Sequence, residues 1–152
     1  MLKKAVVLIF TIMLCLSFSG CGGKTISIAF PFEATDITSI DIFHFTNPAE
    51  AEKKTIARQE DIQNIYQLFE GISLEEKETQ PVAGACVTSF RFHLSDSTTY
   101  EIIYSSIAVK SGRLYLTGSE TDYFTSADIG ACWNNYDYEA VAVDESELPT
   151  YP

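Results

Sequence analysis

Apolar side chains recur at every second position along most of the chain, and a period of two describes strands, not helices. Ile26, Ile28 and Phe30 alternate from Thr25 until Pro31 ends the run, which suits an edge strand. From Ile37 to Thr46, Ile40, Ile42 and His44 fall on one face, with Asp41, Phe43 and Phe45 on the other. Apolar residues on both faces predict a strand covered on both sides. Asn47-Pro48 breaks it, and Lys53 to Arg58 can return beside it as a hairpin arm. Val87 to Leu94 sorts Phe90, Phe92 and Leu94 from Ser89, Arg91 and His93, and Thr99 to Tyr104 follows after a turn at Asp96-Ser97. Ile107 to Lys110 and Arg113 to Leu116 flank Ser111-Gly112, a two-residue hairpin signal.

One stretch breaks this rhythm. Ile62, Ile65, Tyr66, Phe69 and Ile72 form a single stripe of helical spacing, with Glu60 and Asp61 placed in the first turn against the positive end of the macrodipole. Gly71 is expected to end the helix in the left-handed conformation. Residues 75–81 read as a charged loop, and Ser126 to Tyr136 as a second short helix carrying Cys132 and Trp133. The fold class expected is therefore α+β, an antiparallel sheet of about five to six strands with one main helix packed on one face. A single domain should span residues 25–138. Residues 139–152, with Asp144, Glu145 and Glu147 before Pro149 and Pro152, read as a frayed acidic tail.

The beginning of the chain has a different character. Lys3 and Lys4 precede an apolar run from Ala5 to Phe18, then Ser19, Gly20 and Cys21. A cationic head, a short apolar stretch and small residues describe a secretory signal peptide, too short for a spanning helix. The residues Phe18-Ser19-Gly20-Cys21 resemble the lipobox of bacterial lipoproteins, with Phe18 where that family usually carries Leu. The resemblance covers residues 1–23. It implies cleavage after Gly20, diacylglycerol on Cys21 Sγ, a short linker through residue 24, and a domain held at the outer face of the cell membrane. The order of strand, hairpin arm, helix and meander also looks like small uncharacterised lipoproteins of Gram-positive bacteria.

Charge narrows the partners. Lys plus Arg number 10 against 21 Asp plus Glu, so a nucleic-acid partner is not expected. Loss of Lys3 and Lys4 with the signal peptide leaves 8 basic and 21 acidic side chains, a net of -13. Anionic headgroups repel such a domain, so lipid and not surface charge must hold it at a membrane. With Cys15 removed and Cys21 acylated, Cys86 and Cys132 remain as an even pair in an exported domain, where disulfides persist. A bridge between them closes a loop of about 46 residues, worth about 4 kcal/mol in the chain-entropy model. Two free thiols acting as small hydrophobes are the other reading.

Motifs for chemistry are sparse. His44 and His93 have no second ligand at metal spacing, and no nucleophile elbow or phosphate loop occurs. A pairing of Cys86 with His44 or His93 requires Cys86 unbridged. The acids Asp137, Glu139, Asp144, Glu145 and Glu147 lack the spacing of a calcium loop. No enzyme activity, cofactor or resident metal is expected. The crowd of Tyr115, Tyr123, Phe124, Trp133, Tyr136 and Tyr138 suits a recognition surface. The expectation is a membrane-anchored binding module that contacts another envelope protein. The alternative is a solute- or metal-sensing lipoprotein using His44, His93 or the acidic tail.

Overall fold

A computed structural model describes residues 24–150 of the chain; the segment expected to be a signal peptide and Cys21 lie outside them. The strands are β1 (Thr25–Ser27), β2 (Ile37–Phe45), β3 (Glu52–Ile56), β4 (Ser73–Glu75), β5 (Val87–Leu94), β6 (Thr99–Ala108), β7 (Ser111–Leu116), β8 (Tyr123–Thr125) and β9 (Val141–Ala142). They form one antiparallel sheet in the order β1-β4-β8-β7-β6-β5-β2-β3-β9. Helices α1 (Gln59–Gly71) and α2 (Cys132–Asn135) complete the fold.

The expected architecture needs correction. The fold is a nine-stranded sheet with two short helices, not five to six strands organised around one main helix. The strands missed are the short ones: β4, β8 and β9 have two or three residues each, too few to display an alternation. The predicted β6–β7 turn was also misplaced. Strand β6 runs on to Ala108, and the chain turns at Val109 and Lys110, where Lys110 takes φ 59°. Residues Ser111 and Gly112 belong to β7 itself. The acidic segment after Glu139 is paired, not frayed at its start: β9 adds to the sheet beside β3, and Val143 N–H donates to Ala51 O.

Helix α1 buries Ile62, Ile65, Tyr66 and Phe69, as its stripe predicts. Gly71 stays helical and does not enter the left-handed region; the chain leaves at Ile72, in extended backbone. Below the helix lie Ile40, Ile42, Ile56, Phe90, Phe92, Ile102 and Leu114. Fully burying such a side chain contributes roughly 1.5–3 kcal/mol. Phe30 packs among Phe32, Tyr66, Phe92 and Tyr100, with ring centroids 4.7–5.8 Å away, and the Tyr66 hydroxyl donates to Phe32 O at 2.9 Å.

The second half of this inner face is covered by residues 129–135. Lys54 fixes them: its Nζ donates to Trp133 O at 2.8 Å and Tyr136 O at 2.9 Å, and lies 4.6 Å from the Trp133 ring centroid. A lysine reaching the last carbonyls of so short a helix supplies partners that the helix lacks.

Tyr104 closes the layer by lying flat over Gly112. A Cβ built on Gly112 would stand 2.3 Å from Tyr104 Cε2 and 2.6 Å from Ser105 O, so ring and backbone must both yield. Gly112→Ala is therefore expected to lower stability by about 1–3 kcal/mol in chemical denaturation, the usual cost of overpacking. An unchanged midpoint would show that Tyr104 does not occupy that space.

Candidate functional site

The alternation along β2 and β5 separates the polar residues that sequence reasoning singled out. His44 is on the inner face, opposite Thr88. His93 is on the outer face, where its Nε2 lies 3.0 Å from Asp41 Oδ2. The two histidines are therefore divided by the sheet, and no group of three or more His, Cys, Asp or Glu converges among the described residues.

The outer face carries a charged network over an apolar floor. Asp41 is 7% exposed and accepts from Thr55 Oγ1 at 2.6 Å, with Lys53 Nζ 3.6 Å from Oδ2. Phe43, fully buried, lies below the cations of Lys53 and Arg91, 5.7 and 5.0 Å from its centroid. Arg91 Nε donates to Glu101 at 2.6 Å and its Nη2 to Glu147 O at 3.1 Å; Lys53 also reaches the Glu147 carboxylate at 3.6 Å. Of the tail acids, Glu147 is thus a strap over the sheet, while Asp144 caps a short turn by accepting from Ser146 N. Asp137 and Glu139 are exposed.

A concave site lies farther along this face, at the β6–β7–β8 side. Two adjoining hollows of about 480 and 520 Å³ share Arg113, Thr121 and Asp122 as walls. Pro81, Ser105, Tyr115 and Glu120 complete one, and Glu76, Lys77, Glu78 and Thr79 the other. Arg113 projects from β7 opposite Ser105 of β6 and Phe124 of β8. Its Nη2 pairs with the Asp122 carboxylate across the β7–β8 connection. Arg113 Nε and Thr79 Oγ1 are buried and have no hydrogen-bond partner among the described residues. Leaving such groups unsatisfied costs about 1–3 kcal/mol each. Lys77 lies 4.5 Å above Phe124 at the rim.

Sequence reasoning passed over Arg113, Asp122, Thr79 and Asp41. Arg113 stands in the polar phase of an alternating strand, which marks a solvated face until the register brings the 76–81 and 117–122 loops around it. Of the aromatic crowd, Tyr115 lines the cleft, Trp133 is buried under His44, and Tyr138 bonds Asp61 at 2.7 Å. Of the two readings for Cys86 and Cys132, the structure holds them as free thiols, Cys86 half-buried and Cys132 buried. No helix among the described residues is long and apolar enough to cross a membrane. Compared with family models, curated proteins and solved structures, the chain matches none.

Burial pushes the Asp41 carboxyl upward, but the Thr55 hydroxyl, His93 and Lys53 outweigh it and hold the group below its ordinary value. A carboxyl depressed in the folded state contributes stability that is complete above its unfolded pKa, about 3.9, and is lost as the pH falls through the folded value. Wild type should therefore melt well above Asp41→Asn at pH 6, with the gap closing as the pH drops below about 4. A gap independent of pH would mean that the carboxylate charge carries none of the effect.

Proposed function

We propose that this chain is a lipid-anchored, extracytoplasmic binding module whose recognition site is the Arg113 cleft, and that its partner is a basic segment of another envelope protein. The observation that carries the reading is the acidic lining of the two adjoining hollows that share Arg113, Thr121 and Asp122 as walls. Around them Glu76, Glu78, Glu120 and Asp122 oppose Lys77 and Arg113, a net of -2, which favours a cationic partner.

The anchor reading supports the same site. Three residues, Gly22, Gly23 and Lys24, connect Cys21 to Thr25, four Cα–Cα steps with a reach of about 14 Å at most. Thr25 pairs with Glu75, and Glu75 with Phe124, so the cleft loops begin where the tether ends. A diacylated Cys21 would keep the cleft beside the bilayer, within reach of other envelope proteins. Nothing in this reading requires a catalytic step or a cofactor.

The hollows' volume favours a second reading, a solute sensor, since small-molecule sites fall in the range of about 300–1,000 Å³. One experiment separates the two. A photo-crosslinking residue is placed at Thr121 or, as control, at Asn64 on the exposed side of α1, with Cys21 intact or changed to Ser. The interaction module predicts an envelope-protein adduct from Thr121 alone, and loss of both adduct and membrane association in Cys21→Ser. Adducts equal at Thr121 and Asn64 would overturn it. No adduct, with a raised melting temperature from a small envelope solute, would favour the sensor.

A further inference from the structure

The segment after Tyr138 crosses the outer face while burying little of itself. Strand β9 lies at the edge of the sheet and pairs with only Glu52 and Lys53 of the five residues of β3. Beyond it, Val143 N–H donates to Ala51 O, Arg91 Nη2 donates to Glu147 O at 3.1 Å, and Lys53 Nζ lies 3.6 Å from the Glu147 carboxylate. Residues 139–142 and 144–147 are exposed, and Leu148 and Pro149 are half-buried. An ion pair whose acid is half exposed adds little, and a segment with so few buried apolar contacts belongs to the part of a fold that opens first.

The ground beneath it is built differently. Phe43, Ser89 and Ile103 follow one another across β2, β5 and β6 on this face, and all three are buried. Lys53 and Arg91 stand over the Phe43 ring. Each also holds an acid of the sheet itself, Asp41 for Lys53 and Glu101 for Arg91, so both cations keep a partner when Glu147 leaves. Ser89 Oγ has no hydrogen-bond partner among the described residues, so the segment covers this ground without satisfying it. An apolar floor, two cations and the edge of β3 together form a seat for an extended chain.

We propose that residues 139–150 are a releasable strap, an internal stand-in for an extended acidic segment of a different protein that docks on the same seat. Release breaks the β3–β9 pairs and the contacts of Glu147, while the ladders joining β2, β5 and β6 stay intact. The incoming segment takes the β3 edge with its backbone and sets a carboxylate against Lys53 and Arg91, with an apolar residue after it as Leu148 follows Glu147. The strap itself shows that this chemistry fits. A second copy of the chain is the poorer occupant, because both copies carry a net charge of -11 and repel each other.

The test uses the full chain, isotopically labelled and held in detergent. Hydrogen exchange compares the Val143 amide with the Ile42 and Phe90 amides of the β2–β5 ladder. Val143 is expected to exchange about a hundredfold faster or more; exchange at the ladder's rate would mean that the strap opens only with the whole fold, and the proposal fails. The docking probe is an unlabelled synthetic peptide copying residues 139–150, used at millimolar concentration because it competes with a tethered copy. It should shift the Lys53 and Arg91 resonances and speed Val143 exchange further, whereas no change at these residues would overturn the seat. Glu147→Arg should act with opposite sign in two places, tightening peptide binding about tenfold when made in the chain and weakening it about tenfold when made in the peptide. Glu145→Arg, the same charge change at an exposed neighbour, should do neither, and equal effects from the two substitutions would overturn the proposal. A concentration-dependent dimer with contacts from Glu147 of one copy to Arg91 of the other would assign the seat to a second copy and overturn the assignment to a different protein.

Discussion

The pairing of β2 with β5 is the constraint on which the rest of this structure depends. Its register sets Ile42 against Phe90 and Ile40 against Phe92 on one face, and Phe43 against Ser89 and Asp41 against Arg91 on the other. Because side chains alternate with a period of two, a slip of one residue would turn charged residues toward α1 and carry inner-face residues such as Phe90 and Phe92 outward. Both faces are covered, by different means. Helix α1 and residues 129–135 cover the inner side with apolar contacts. A strap through Glu147 and the cations of Lys53 and Arg91 closes the outer side over Phe43.

That sorting also separates the molecule's chemistry. His93 becomes part of an outer network that holds Asp41 ionised, while His44 faces inward beside Cys86. Each histidine has a different partner and neither can help the other. The Arg113 cleft is distinct again, produced where two loops rise on either side of β7. The Arg113 cleft and the surroundings of His44 therefore make separate demands on the fold, and a substitution at one need not disturb the other.

Much of the sheet's interior was legible in the sequence. The inner-face set of Ile40, Ile42, Phe90 and Phe92, the hairpin partnership of β2 and β3, and the buried stripe of α1 all follow from periodicity. The breadth of the sheet was not legible. Strands of two or three residues carry no period; β8 and β9 form because the longer β7 and β3 present them with free backbone donors and acceptors, and β4 pairs between β1 and β8, strands as short as itself. The Gly71 signal failed because Ile72 could go directly into extended backbone and did not need a left-handed residue before it. The cleft was hidden for another reason: Arg113, Thr79 and Asp122 are far apart in the chain and look like ordinary surface residues until the register is known. The acidic tail misled because its charge suggested solvation, whereas Glu147 meets two cations already held over Phe43.

The account's central claim is the β2–β5 register with His44 and His93 on opposite faces. Proton–proton distances from nuclear Overhauser spectra of the isotopically labelled chain test it most directly. The register predicts cross-strand contacts between Ile42 and Phe90, between the His44 ring and the Trp133 indole, and between His93 and Thr55 or Asp41. Contacts linking His44 with His93, or His44 with Arg91, would contradict it and with it the assignment of the two faces of the sheet.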